Sequence, residues 1–60
     1  MQIKIETLVE LTKVLYLPKN KKEFKEAFIK VTCNICQIKE SEIDSYIGEN
    51  IDNLVERNYV

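Results

Sequence analysis

Apolar residues recur along this chain at helical intervals, in three blocks separated by polar breaks. In the first block Ile5, Leu8, Val9, Leu15 and Tyr16 fall on one face, with Thr12 among them. Leu11, Val14 and Leu17 lie on a second face, so this helix is apolar over most of its circumference. A helix of that kind is either central to its fold or packed against something beyond it. The stretch 1–5 also alternates in polarity, which leaves a short strand open there. Pro18 ends the element, because its ring pushes the preceding residue out of helical geometry.

The second block opens with Asn20 three residues ahead of Glu23, the spacing of a capping box with Asn in place of Ser or Thr. Phe24, Ala27, Phe28, Val31 and Ile35 then repeat at helical spacing, the strongest periodicity in the chain and the expected core face. The segment QIKESE is polar enough for a turn, with Ser41 or Ser45 as the cap of the third helix. In the third block Ile43, Ile47, Ile51, Leu54 and Val55 form one stripe. Gly48 within it costs about 1 kcal/mol relative to alanine, so the helix is expected to kink or divide there. Asn50 is placed to cap a second half, and the helix should end near Asn58. Tyr59 and Val60 have the β-propensity of a strand's first residues.

The pattern therefore predicts a mainly α, three-helix bundle forming a single domain over residues 1–60. At this length the chain buries only about 60% of its unfolded surface, so its stability is marginal unless something helps. Two cysteines allow at most one disulfide, and the absence of histidine argues against a zinc site within one chain. No apolar run approaches the roughly 18 residues that cross a membrane. Acids among the apolar residues of MQIKIETLVE argue against a signal peptide. An intracellular protein, in cytoplasm or nucleus, with reduced thiols is the expectation.

Net charge is −1, but it is unevenly spread. Lys13, Lys19, Lys21, Lys22, Lys25 and Lys30 face only Glu23 and Glu26 in the middle of the chain. Lys39 and Arg57 face Glu40, Glu42, Asp44, Glu49, Asp52 and Glu56 in its last third. The lysine-rich stretch is suited to phosphates or an acidic protein surface, although a solvated helix face is the plainer reading. The tyrosines do not interleave with it, so a base-stacking platform is not indicated.

Little here points to catalysis. Without histidine or a glycine-rich loop, a nucleophile and its base have few candidates. Acid pairs such as Glu40/Asp44 and Glu49/Asp52 fit a solvated face better than acid–base chemistry. Cys33-Asn34-Ile35-Cys36 has redox spacing, but it falls in the last turns of the second helix, where the dipole disfavours a thiolate. Half-buried helix cysteines are the plain reading; a metal or disulfide shared between chains is the alternative. No enzyme activity, cofactor or metal is expected.

Three helices followed by an incipient strand resemble a winged helix. The tail is similar to the C-terminal winged-helix domain of the cullin family, through Ile51, Leu54, Val55, Glu56, Arg57, Tyr59 and Val60 in order and spacing. Glu42, Ile43, Tyr46 and Ile47 resemble the corresponding helix of the cullin-like scaffold subunit of the anaphase-promoting complex. Where neddylated cullins carry their acceptor lysine this chain has Glu10, so that modification is not implied. The resemblance implies a helix-turn-helix bundle with little or no wing, left incomplete where the sequence stops. It also implies a non-enzymatic interaction domain of a RING ubiquitin-ligase scaffold in cell-cycle ubiquitination. Its partners would be a RING subunit or a ubiquitin-conjugating enzyme.

The residues expected to meet a protein partner are Lys19, Lys21, Lys22 and Lys25 as a basic patch, with Leu11 and Val14 on the outer face of the first helix. The competing reading is a small winged-helix DNA-binding regulator. Acids on the outer positions of the third helix would repel a duplex and disfavour it. A three-helix protein of unrelated function stays open beside both.

Overall fold

In the computed structural model, which describes residues 3–59, four helices pack into one bundle. They are α1 (Ile5–Tyr16), α2 (Lys21–Cys36), α3 (Ile43–Ile47) and α4 (Ile51–Asn58), with a single 3-10 turn at Glu40–Glu42 leading into α3. The fold is mainly α, and no strand occurs among the described residues. The third apolar block divides at Gly48, as its composition predicts. Gly48 takes a left-handed conformation (φ 78°) as the C-cap of α3, a region in which glycine carries no Cβ penalty. Asn50 caps the second half, accepting from the Asp52 N–H at 2.8 Å.

The cap of α2 keeps the predicted scheme with one displacement. Asn20 Oδ1 accepts from the Glu23 N–H at 2.9 Å. The reciprocal bond reaches one residue further back, with the Lys19 N–H donating to Glu23 Oε1 at 2.9 Å. Neither Ser41 nor Ser45 caps α3. Glu42 occupies the N-cap position of α3 without a side-chain cap bond, its carboxylate accepting instead from the Lys39 N–H at 2.9 Å. Its carboxylate closes the 3-10 turn, which leaves both serines exposed.

Helix α2 is the element on which the other three pack. Phe24 and Phe28 are buried at its centre, their rings stacked with centroids 6.2 Å apart. Leu8 and Val9 from α1, Ile43 and Ile47 from α3, and Ile51, Leu54 and Val55 from α4 complete the core. Three expected core positions are not in it. Ile35 is 39% exposed, on the opposite side of the last turn of α2 from Cys33 and Cys36, which pack against the core. Leu15 and Tyr16 share a face with Leu8 but are exposed, Tyr16 lying at the edge of a groove against α2.

Tyr59 does not continue α4. Its backbone is extended (φ −107°, ψ 106°) and its ring lies 5.6 Å from that of Phe24. The hydroxyl donates to the Pro18 carbonyl at 3.1 Å, tying the tail to the α1–α2 loop. The expected strand start thus serves to close the bundle at Tyr59, and Val60 lies outside the described residues. Of the alternating stretch 1–5, Ile5 begins α1, Ile3 and Lys4 lead into it, and Met1 and Gln2 lie outside the described residues.

Candidate functional site

The predicted basic patch is divided by the fold. Lys21 Nζ lies 2.8 Å from Glu56 and Lys25 Nζ 2.8 Å from Asp52, so two of its lysines pair with acids of α4. Part of the uneven charge of the sequence is therefore an internal match between α2 and α4. Asp52 holds the Lys25 ammonium above its ordinary range by hydrogen bond and charge. Lys19 and Lys22 are exposed and take part in no ion pair among the described residues.

A third pair closes the α3–α4 corner. Arg57 grips Glu49 through both guanidinium nitrogens, at 2.7 and 2.6 Å. Such a forked pair is stronger than a single contact, and it holds the Glu49 carboxyl below the usual carboxylate range. These pairs leave α4 with little charge to offer outward.

The end of α1 is different in kind. Val14, Leu15, Tyr16 and Leu17 are 68%, 64%, 46% and 73% exposed, four consecutive apolar side chains ringing the last turn. Leu11, one turn earlier, is half-buried and packs on the core. Of the two apolar residues expected to meet a partner, Val14 is therefore free and Leu11 is partly used inside.

Leu17 is also backbone-strained. A proline at 18 favours extended geometry at this position, but Leu17 sits in the left-handed region (φ 46°, ψ 57°) as the C-cap. Its N–H donates to the Lys13 carbonyl at 3.2 Å. For a residue with a Cβ that conformation costs on the order of 1–2 kcal/mol. Glycine or asparagine is the usual occupant of such a cap.

Beside this turn runs a groove of about 180 Å³ lined by Tyr16, Pro18, Glu23, Glu26, Ala27 and Lys30. Tyr16 joins the groove to the exposed turn, so the two form one surface. Sequence reasoning finds the over-apolar helix and its outer face but places Leu15 and Tyr16 inside. The signal against that placement is the run VLYL before proline, since four consecutive residues point to all sides of a helix and cannot all be buried.

At the other end of α2, Cys33 and Cys36 are half-buried free thiols. Burial, the Glu40 charge and Cys36 push the Cys33 thiol up, away from a reactive thiolate. The Cys36 thiol beside the Tyr46 hydroxyl pushes that phenol up as well. No cluster of three metal-ligating side chains occurs among the described residues, and no helix is long and apolar enough to cross a membrane. Comparisons with protein-family models, with curated proteins and with solved structures give no match.

Proposed function

We propose that this chain is a non-enzymatic protein-binding module that docks through the end of α1. The observation that carries the reading is Leu17, which breaks two local rules at once. It holds an unfavourable left-handed backbone, and its side chain is mostly exposed, so nothing inside the chain compensates. Residues that break local rules without an internal gain mark functional positions. With Val14, Leu15 and Tyr16 it forms a ring of exposed apolar side chains around the end of α1, and exposed apolar surface of this kind marks interaction sites.

Lys19 and Lys22, exposed near the start of α2, add positive charge close to the surface. In the more specific, cullin-like form of the proposal, supported by the order of residues 51–60, the docked protein is a RING subunit or a ubiquitin-conjugating enzyme. The duplex-binding reading has less in its favour. Asp52 and Glu56 lie on the exposed side of α4, and Lys21 and Lys25 are occupied in neutralising them.

The test is a photo-crosslinking residue at position 17 in cells that express the chain, with position 53 on α4 as control. Adducts to protein at 17 and not at 53 are the expected result. Equal labelling at both positions, or none at either, overturns the proposal.

A further inference from the structure

Cys33 and Cys36 stand at the far end of α2 from the docking surface, one turn apart on the same side of the helix. Both thiols are free and half-buried, partly packed on the core and partly open. Cysteine used only to fill space is among the most fully enclosed of side chains. Two half-open thiols at one helix end are therefore poorly explained by packing. Helical spacing holds their Cβ atoms about 5–6 Å apart. A disulfide needs about 3.5–4.5 Å, so a direct sulfur–sulfur bond would require the last turn of α2 to unwind. An atom lodged between the two sulfurs would not.

The surroundings narrow the choice of atom. No third cysteine, histidine or carboxylate joins the pair as a metal cluster among the described residues, so the four ligands of a tetrahedral zinc site are not assembled. Soft thiolates select copper(I), an ion for which two sulfurs in line suffice. The Tyr46 hydroxyl lies beside the Cys36 thiol. Tyr46 also lines a groove of about 480 Å³ with Ile3, Lys4, Ile5 and Ser45, which opens a path to the pair.

We propose that Cys33 and Cys36 together bind copper(I), holding the ion between their sulfurs within one chain. Each thiol gives up its proton to solvent as its sulfur bonds the metal. Copper stays in the +1 state and no electron is exchanged. The site passes from neutral to a single negative charge, which Glu40 and the negative C-terminal end of α2 oppose. That opposition makes the copper exchangeable instead of locked in place. The site does not depend on the α1 end, so it stands or falls apart from the docking reading.

The experiment titrates the reduced full chain with copper(I), without air, against bicinchoninate, a chelator that colours with copper(I). The expected result is one copper per chain drawn from the chelator, with the ultraviolet absorption of a copper–thiolate bond and the sedimentation of a monomer. Cys33→Ser and Cys36→Ser should each lower affinity more than about a hundredfold, beyond what the loss of an outer partner costs. The double variant Cys36→Ser, Ile35→Cys keeps two thiols but turns them to opposite sides of the helix. Ile35 is exposed, so this variant keeps the fold, and it should bind no better than a single-thiol chain. Glu40→Gln should tighten binding about twofold to fivefold, whereas weakening would make its carboxylate a ligand and overturn the two-sulfur site. A chain that takes no copper from the chelator overturns the proposal. So does one copper shared by two chains, or an affinity that the rearranged pair of thiols matches.

Discussion

Two regions of this small bundle treat their side chains in opposite ways. Along the α2–α4 seam, Phe24, Leu54 and Val55 are buried and the Tyr59 ring packs at a tilt against Phe24. The charges above them meet as Lys21–Glu56 and Lys25–Asp52. At the end of α1, four apolar side chains face solvent on a backbone whose last residue is held in the left-handed region. Both regions come from the same kind of sequence, an apolar run with lysines nearby. The difference is that neighbouring helices cover the first run and leave the second exposed.

The largest effect should come from emptying the satisfied region. Phe24→Ala removes a ring packed against both Phe28 and Tyr59, and such truncations cost about 3–5 kcal/mol. A chain of this length has a total stability of roughly 3–9 kcal/mol, so urea denaturation should show a variant near the edge of unfolding. Val14→Ala, at the other region, should change stability by no more than about 0.5 kcal/mol. Comparable losses from the two would mean that the α1 end belongs to the core, and the contrast would fail.

Between the two regions, where α1 meets α2, lie two buried threonines with different fortunes. Thr12 Oγ1 donates to the Leu8 carbonyl at 2.8 Å. Thr32 Oγ1 is buried with no hydrogen-bond partner, and an unsatisfied hydroxyl costs about 1–3 kcal/mol. Thr32→Val should therefore stabilise the fold by about 1–2 kcal/mol, while Thr12→Val, which discards a made bond, should not. Equal responses in thermal melts would show that Thr32 is already satisfied.

Leu17→Gly sharpens the contrast further, because it should improve the fold while removing docking surface. Relief of the left-handed leucine gains about 1–2 kcal/mol, and the freer unfolded chain takes back about 0.4–1 kcal/mol. A net gain between about 0 and 1.6 kcal/mol in stability is expected in urea denaturation. A loss instead would mean that Leu17 packs inside the chain and that its exposure has no functional meaning.

Much of this is legible in the amino-acid sequence. Asn20 and Asn50 mark helix starts and Gly48 marks the break, because caps and glycine act locally. Periodicity reveals the core faces of α2 and α4 for the same reason. Element lengths and cross-bundle partners are another matter. Ile35, Leu15 and Tyr16 keep helical register with buried neighbours, yet each is exposed, because spacing along one helix does not say how much of it another element covers. The lysine patch is divided because charge counts along the chain do not show that Lys21 and Lys25 face Glu56 and Asp52 across the bundle. The candidate surface is therefore half visible, as an outer face of α1 with Leu11 and Val14, and its centre at Leu17 emerges only with the backbone angle.

The smallest effect concerns the corner pair, and its sign comes from linkage. Arg57, by hydrogen bond and charge, holds the Glu49 carboxyl below its unfolded value. A carboxyl depressed in the folded state contributes stability that is present above its unfolded value, near pH 4. That contribution is lost as pH falls through the lower, folded value. The pair lies at the surface, so the contribution is modest and screened by salt. Melting temperatures measured from about pH 6 down to about pH 3 should therefore fall less steeply in Arg57→Gln than in the parent, the two curves converging at the acid end. The same comparison made with Leu17→Gly should give parallel curves, since no titrating group is lost from the end of α1. A parent and an Arg57→Gln variant with parallel curves would show that the α3–α4 corner adds nothing through its charges. The difference between the two regions would then rest on packing alone.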